Sequence, residues 1–399
     1  MSGPDQPWPL AGGLPARTAL IHDWLVARGG AERTLEAMLQ VLPGAEVYTL
    51  IHDPKAFAGS GSPLEGARVH SSFLQRLPWA QRRHRGYLPL MPLAVESFDL
   101  SGYELLLSSS HAVAKGVQVG AEQLHVSYLH TPMRYAWELS SSYLQRAGLD
   151  GGPAGLAALA LLHYLRIWDQ VSAHRVDLFV ANSRCVARRI WRAYRRPAAV
   201  LYPPVEVERF DPGRPRGEFY LTVSRLVPYK RVDLIAQAFH RLGRPLVVIG
   251  EGPELPRLQE LGGPNLRFLG QQPDAVVREH LETCRAFVFA ADEDFGIAPV
   301  EAQAAGAPVL AYGHGGALET VLPGRSGLLF AAQSVASLVG AVESFEAAPH
   351  FPVELLRENA ERFSAQRFRN ELAELLERAS QLFRRGQDPE VLARETTGI

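Results

Sequence analysis

Twice along this chain, short apolar runs alternate with helical patterns, and a proline-rich break separates the two series. The first series holds apolar runs at 18–22, 46–50, 104–108, 124–130 and 176–182, with helical patterns at 31–42, 155–170 and 184–194. The break falls at Tyr202-Pro203-Pro204 and Asp211-Pro212-Gly213-Arg214-Pro215. The second series has runs at 219–223, 245–249, 266–269, 286–290 and 308–311, and helical patterns at 231–242, 299–305 and 334–345. Short runs without polar alternation suit strands buried on both faces, and strands alternating with helices imply a parallel sheet covered by those helices. The chain therefore reads as α/β, with two doubly wound Rossmann-like domains facing across a cleft. Ligands of such sheets bind beyond the carboxyl ends of the strands. The expected segments are a flexible N-terminus at 1–17, a first domain at 18–204, a second at 205–364, an amphipathic helix at 365–385 crossing back to the first domain, and a polar tail at 386–399.

Composition narrows the function classes. A length of 399 residues, 47% of them hydrophobic, is enough for large cores, and a net charge of -1 argues against a general nucleic-acid binder. Two distant cysteines, Cys185 and Cys284, make neither a disulfide framework nor a metal ribbon. No apolar run is long enough to span a bilayer, and the first residues lack the pattern of a signal peptide. The expected location is cytoplasmic.

Three stretches carry chemistry. In Asp292-Glu293-Asp294-Phe295-Gly296-Ile297-Ala298-Pro299-Val300-Glu301, a strand ends and a helix begins. Backbone N–H groups at a helix start suit a phosphate, Gly296 permits close approach, and the carboxylates of Glu293 and Glu301 suit hydroxyls of a sugar and a ribose. In Ser224-Arg225-Leu226-Val227-Pro228-Tyr229-Lys230, Arg225 and Lys230 can converge on a diphosphate. In the first domain, His130 ends a strand, where it can bond a substrate hydroxyl, and Gly29-Gly30 precedes a helix, where an anion or sugar can approach. Each stretch has a plainer reading: capping acids, solvated bases, a structural histidine, a turn.

Together these residues resemble glycosyltransferase family 4, retaining enzymes of the GT-B fold. The family's Glu-x7-Glu element is similar to Glu293 to Glu301, its Gly-x-Gly-Pro turn to Gly250-Glu251-Gly252-Pro253, and its Gly-Gly-x-x-Glu element to Gly315-Gly316-Ala317-Leu318-Glu319. Ser108-Ser109-Ser110-His111-Ala112-Val113-Ala114-Lys115-Gly116 and His130-Thr131-Pro132-Met133-Arg134-Tyr135-Ala136-Trp137 resemble the WbaZ-like branch of mannosyltransferases; Glu138 stands where that branch usually has Asp. The resemblance implies roles. Arg225 and Lys230 would neutralise the donor diphosphate, Glu293 and His130 would contact the transferred sugar, and Glu301 would hold the ribose. Gly29, Gly30, Gly252, Gly296, Ile297 and Val300 would line the donor. The donor would be GDP-mannose, or a UDP-sugar, with no cofactor and no metal. The acceptor would be a glycan or a lipid-linked sugar in cell-surface polysaccharide assembly. Retention by front-face attack needs no protein nucleophile. A non-catalytic relative binding the same ligands is the alternative.

Three look-alike motifs fall short. Asp292-Glu293-Asp294 imitates a metal-binding Asp-x-Asp, but Phe-Gly and the second Glu follow it. Gly250-x-Gly252 lacks the third glycine of a dinucleotide site. His314-Gly315-Gly316 has no nucleophile elbow to accompany it. Finally, Trp79, Arg82, Arg83 and Arg85 lie in an acid-free stretch interleaving arginine and aromatic residues, which suits an anionic membrane surface and peripheral docking on the inner face of the plasma membrane.

Overall fold

The computed structural model describes residues 14–347 and 351–397, apart from 60, 139, 141–143, 146, 147 and 150. The chain divides into two compact units, Met1–Tyr202 with Phe368–Ile399, and Pro203–Arg367.

The first unit is built on seven parallel strands: β1 (Thr18–His22), β2 (Glu46–Thr49), β3 (Val69–Ser71), β4 (Leu105–Ser110), β5 (Leu124–Leu129), β6 (Leu178–Ala181) and β7 (Ala199–Val200). Their order in the sheet is β3-β2-β1-β4-β5-β6-β7. Every residue of β1, β4 and β5 is buried, the serines of β4 and His125 and Ser127 of β5 included. The order reverses between β1 and β4, so their carboxyl ends form the switch point at which doubly wound sheets take ligands. β3 and β7 were not expected; three and two residues carry no readable periodicity.

Each face of this sheet has its own core. Leu20, Leu107 and Val126 pack on one side with Leu35 and Met38 of the helix Gly30–Val41. Phe368, Leu372, Leu376 and Ala379 complete that core from the helix Ala365–Arg384, one stripe at helical spacing. Ile21 and Leu106 pack on the other side with Met91 and Val95 of the helix Met91–Glu96 and with Leu162 and Trp168 of the helix Gly152–Ser172. Two expectations change here. The stretch 386–399 is not simply a polar tail: Val391–Thr397 is a helix, and Leu392 and Ala393 are buried in the first core. Of the N-terminal stretch 1–17, residues 1–13 lie outside the described residues. Leu14 packs against the core, and the Arg17 carbonyl accepts the Glu104 N–H at 2.9 Å.

The second unit holds six parallel strands: β8 (Tyr220–Val223), β9 (Leu246–Ile249), β10 (Leu266–Gly270), β11 (Ala286–Phe289), β12 (Val309–Tyr312) and β13 (Gly327–Phe330). The order is β10-β9-β8-β11-β12-β13, with the reversal between β8 and β11. β13 was not anticipated. It opens on Gly327, where a Cβ would sit 1.9 Å from the Val309 carbonyl oxygen, so only glycine lets β13 pair there. Phe239, Val248, Val288 and Leu310 centre the core under the helix Val232–Leu242.

Candidate functional site

The carboxyl edge of the second unit gathers most of the expected residues. β11 runs out into the 292–296 loop, and Gly296, at φ +85°, turns the chain into the helix Ile297–Ala304. The Gly315-Gly316 turn supports this loop. The Gly316 N–H donates to the Glu293 carbonyl at 2.8 Å, and a Cβ on Gly316 would lie 2.3 Å from the Phe295 Cα. Phe295 is buried against the Phe363 ring, and the His314 Nδ1 lies 2.9 Å from the Asp292 Oδ1. Loop and helix start are thus fixed by packing, with the first N–H groups of the helix unbonded within it.

From β8 the chain enters the 224–231 loop. Lys230, at the end of the 3₁₀ turn Pro228–Lys230, pairs its ammonium with the Glu293 carboxylate. Arg225 is exposed and has no side-chain partner among the described residues. Arg231 takes the left-handed φ of +54°, unusual for a residue other than glycine. Its guanidinium donates to Asp233 at 3.2 Å and to Gln333 at 3.4 Å, and Gln333 in turn donates to the Ala290 carbonyl at 2.8 Å. The strained residue ties the β8 loop to the end of β11. Glu301, one turn into its helix, accepts from the Arg209 Nη2 at 3.0 Å, while the Arg209 Nη1 reaches both Asp274 oxygens at 3.0 Å.

Two expected donor residues also have packing reasons. Val300 is fully buried, so its side chain belongs to the core. Gly252 is glycine because a Cβ there would meet the Leu226 carbonyl oxygen at 2.2 Å; the Leu226 N–H donates to the Glu251 carbonyl at 2.8 Å, and the turn buttresses the Arg225–Lys230 loop from behind.

The first unit's carboxyl edge is built differently. Asp23, at the end of β1, accepts four backbone N–H groups, from His111, Ala112, Val113 and Ala114, at 2.7 to 3.0 Å, and so folds the loop after β4 against β1. His130 at the end of β5 bonds the Ser109 hydroxyl through Nε2 at 2.9 Å; Ser109 bonds the His22 Nδ1 at 3.1 Å; the His22 Nε2 lies 3.7 Å from Glu32; and Glu32 accepts the Gly29 N–H at 2.9 Å. A chain of polar groups therefore joins His130 to the Gly29–Gly30 turn. Burial first, then the nearby His111 and His22, hold His130 well below the usual histidine range, and burial also lowers His111. Behind this edge the ammonium of Lys115, wholly buried, sits 2.8 Å from Asp169, which also accepts from the Trp137 Nε1 and the Tyr194 hydroxyl at 2.8 Å. Sequence reading quoted Ser109, His111 and Lys115 without a role for them, and gave no role to Asp23, Arg209 or Arg231. The short polar tracts at strand ends were the available signal.

On the face carrying the helix Met91–Glu96, Trp79 is 68% exposed, with the Arg83 guanidinium 5.3 Å above its ring. Arg82, Arg83 and Arg85 are exposed, without an acidic partner among the described residues. Among the described residues no group of three or more metal-ligating side chains is arranged for an ion, and no helix is long and apolar enough to cross a membrane.

Residues 205–366 match the family described as glycosyl transferases group 1. The chain is 27% identical over 265 residues to D-inositol 3-phosphate glycosyltransferase of Rhodococcus erythropolis, covering 56% of this chain and 59% of that protein. It is 31% identical over 215 residues to a GDP-mannose-dependent alpha-(1-6)-phosphatidylinositol monomannoside mannosyltransferase of Mycolicibacterium smegmatis, covering 43% and 54%. The chain thus spans little more than half the length of these curated relatives. Among solved structures, Anabaena Alr3699/HepE in complex with UDP aligns with a TM-score of 0.64 at 18% identity, over 90% of this chain and 99% of that one. Sucrose-phosphate synthase from Thermosynechococcus elongatus aligns with a TM-score of 0.69 at 19% identity, over 92% and 99%. The segment 205–366 accordingly matches the group 1 glycosyl transferases, and two parallel-sheet Rossmann-like domains give the chain the fold of the GT-B glycosyltransferases.

Proposed function

We propose that the chain is a retaining glycosyltransferase that moves a hexose, mannose from GDP-mannose, to a glycan or lipid-linked acceptor in cell-surface polysaccharide assembly. The observation that carries the reading is the pairing of Lys230 with Glu293 beside the Gly296 helix start, at the switch point of the second sheet. A cation, a carboxylate and a set of unbonded N–H groups are there brought to one edge. An incoming diphosphate would draw the Lys230 ammonium and the Arg225 guanidinium to itself and onto the helix start, stabilising negative charge on the leaving group. Released from Lys230, the Glu293 carboxylate would accept hydroxyls of the transferred sugar near the backbone of Gly296 and Ile297. Glu301, held by Arg209, would accept the ribose hydroxyls. His130, neutral, would bond a sugar hydroxyl, and the Gly29–Gly30 turn would lie against donor or acceptor. The donor's own phosphate oxygen would take the acceptor proton, so no side chain serves as nucleophile, and neither cofactor nor metal takes part.

Mannose is favoured by the branch resemblance and by the name of the Mycolicibacterium smegmatis relative. UDP, found in the structurally similar HepE, keeps a UDP-sugar as the second reading. The protein would act in the cytoplasm, with Trp79, Arg82, Arg83 and Arg85 meeting an anionic membrane surface at its inner face. The test is a calorimetric screen of GDP-mannose, GDP-fucose, UDP-glucose, UDP-galactose and UDP-N-acetylglucosamine against wild type and Glu301→Ala. GDP-mannose should bind alone and at least tenfold more weakly to the variant. Binding of a UDP-sugar instead would replace the donor. Binding of a donor without turnover would favour the non-catalytic relative, and no binding at all would overturn the proposal.

A further inference from the structure

The helix Gly152–Ser172 is apolar on two opposite sides. Its inward side, with Leu162, Leu165 and Trp168, is buried in the first unit. Its outward stripe repeats at helical spacing through Leu156, Leu159, Ile167 and Val171, exposed by 71, 50, 52 and 56%. His163 and Gln170 are the polar residues among them; Arg166 flanks the stripe and donates to the Ala136 carbonyl at 3.0 Å. A helix buried on one side normally turns a charged face to water; one with a second, exposed apolar stripe expects a second apolar medium. The stripe has apolar company. Leu162 and Trp168 share a core cluster with Ala80, Met91 and Val95, so the helix lies on the same face of the sheet as Leu93, 60% exposed, and Trp79. The Trp168 Nε1 donates to Glu96 at 2.9 Å and fastens the helix beside Met91–Glu96.

We infer that the outward stripe of the helix Gly152–Ser172, together with Leu93 and Trp79, is the apolar part of a docking surface for an anionic phospholipid bilayer, on which the helix lies flat. The choice of occupant rests on the membrane-surface reading of Arg82, Arg83 and Arg85. Charge complementarity supports it, because these exposed arginines on the same face lack acidic partners and anionic headgroups would supply them. A two-fold pairing of this face with a second copy would instead bring two unpaired arginine clusters together. The helix lies on the bilayer rather than through it, since no described helix is long and apolar enough to cross one.

The experiment uses the full chain and sonicated vesicles, either pure phosphatidylcholine or an equal mixture of phosphatidylcholine and phosphatidylglycerol, read by co-sedimentation at low and at 0.5 M salt. Solution mass is measured by light scattering on the same samples. The variants are Leu156→Gln/Leu159→Gln/Ile167→Gln and Arg82→Glu/Arg83→Glu/Arg85→Glu; all six positions are exposed, and near-unchanged melting checks their folding. Wild type should bind the mixed vesicles and retain part of that binding in high salt. The glutamine variant should bind at least tenfold more weakly and lose the salt-resistant part, while the glutamate variant should lose the salt-sensitive part. A glutamine variant that binds like wild type overturns the inference; if the glutamate variant then still loses binding, the arginine reading survives alone. Absence of vesicle binding by wild type overturns both. A wild-type dimer that the glutamine substitutions convert to monomer, without vesicle binding, reassigns the face to a contact between copies.

Discussion

The two units share one topology and place the loops of the candidate site at the same point of it, between the first and fourth strands of each sheet, yet they furnish that point with different chemistry. In the first unit the edge is a closed relay of polar groups: Ser109 bonds both His130 and His22, Glu32 lies 3.7 Å from His22, and Asp23, Lys115 and Asp169 around them are buried and engaged. In the second unit the edge is charged and partly open, with Lys230 on Glu293, Arg209 on Glu301 and Arg225 exposed. The first is held in shape by polar groups satisfied inside low-dielectric surroundings; the second by glycines that let backbones touch. A parallel sheet fixes where loops emerge, and what those loops can bind is decided by which groups are left for an incoming ligand.

Breaking the network of the first unit should have the largest effect. Asp169→Ala would leave the Lys115 ammonium buried without its counter-charge and strip a partner from Trp137 and from Tyr194. Losing one partner of a buried ion pair costs about 3–5 kcal/mol. Urea unfolding should show that loss; a change below about 1 kcal/mol would mean the two edges are not held in different ways. The corresponding cut in the second unit should separate stability from activity. The Lys230–Glu293 pair is about one-fifth exposed on each side, with side-chain exposures of 18% and 20%, against none for Lys115 and Asp169, so Lys230→Ala should cost less folding free energy than Asp169→Ala, about 1–3 kcal/mol. Sugar transfer from the donor identified by calorimetry should nevertheless fall by roughly 10²–10³-fold, the scale for removing one group that stabilises developing negative charge. Equal losses of stability in both variants would erase the contrast.

Acid should distinguish the units as well. His125, buried in β5, bonds the Ser108 hydroxyl at 2.9 Å and the Arg175 carbonyl at 3.0 Å, and burial pushes its pKa down to about 4. In the unfolded chain it would protonate near 6.5. The folded state keeps it neutral, so its contribution is intact above about pH 6.5, declines as the pH falls and is gone below about 4, a loss of roughly 3 kcal/mol. His111 and His130 shift in the same direction. Lowering the pH from 7 to 4.5 should therefore loosen the first unit before the second, read by hydrogen exchange of peptides from β4 and β5 against peptides from β8 and β11. Simultaneous loss of protection would count against this account. A smaller effect separates the two glycine turns. Gly252→Ala drives a Cβ to 2.2 Å from a backbone oxygen and should cost about 1–3 kcal/mol, with weaker donor binding as the Arg225–Lys230 loop shifts. Gly29→Ala meets only the movable end of the Glu32 side chain, at 3.0 Å, and should cost under about 1 kcal/mol. Thermal melts of the pair test that ranking.

Sequence carried the sheets well because buried parallel strands hold short apolar runs such as Leu105-Leu106-Leu107 and Ala286-Phe287-Val288-Phe289. β3, β7 and β13 escaped because they are short or begin on a glycine chosen for backbone contact with a neighbour. In the second unit the residues of the candidate site sit close together in sequence, within 224–230 and 292–301, so their convergence could be read from two loops. For Val300, adjacency to a motif says nothing of which way a helical side chain points, and here it points into the core. The first unit's edge was the harder part. Its contacts join residues far apart in the chain, such as Ser109 to His22 and Lys115 to Asp169, and no local spacing encodes them. The outward stripe of Gly152–Ser172 was visible only as an apolar run, since sequence alone does not tell which side of a two-sided apolar helix is covered.

The least costly cut is the most informative about how the first unit's edge works. The Ser109 hydroxyl touches the His22 Nδ1 at 3.1 Å and the His130 Nε2 at 2.9 Å, and it has one proton, so it donates to one ring and accepts from the other. Glu32 decides the direction. Its carboxylate lies 3.7 Å from the His22 Nε2 and favours a proton on that nitrogen. The His22 Nδ1 then accepts from Ser109, Ser109 accepts from the His130 Nε2–H, and the His130 Nδ1 keeps its lone pair, an acceptor for a hydroxyl. Ser109→Ala should cost only about 0.5–1.5 kcal/mol. It should also release the His130 tautomer. Nitrogen-15 shifts of the histidine rings should report the Nε2–H form in wild type and a mixture in the variant, with sugar transfer lowered a few-fold. A wild-type His130 protonated on Nδ1 would reverse the relay and remove His130 as a hydroxyl acceptor, leaving it a donor where the carboxylates of the second unit's edge accept.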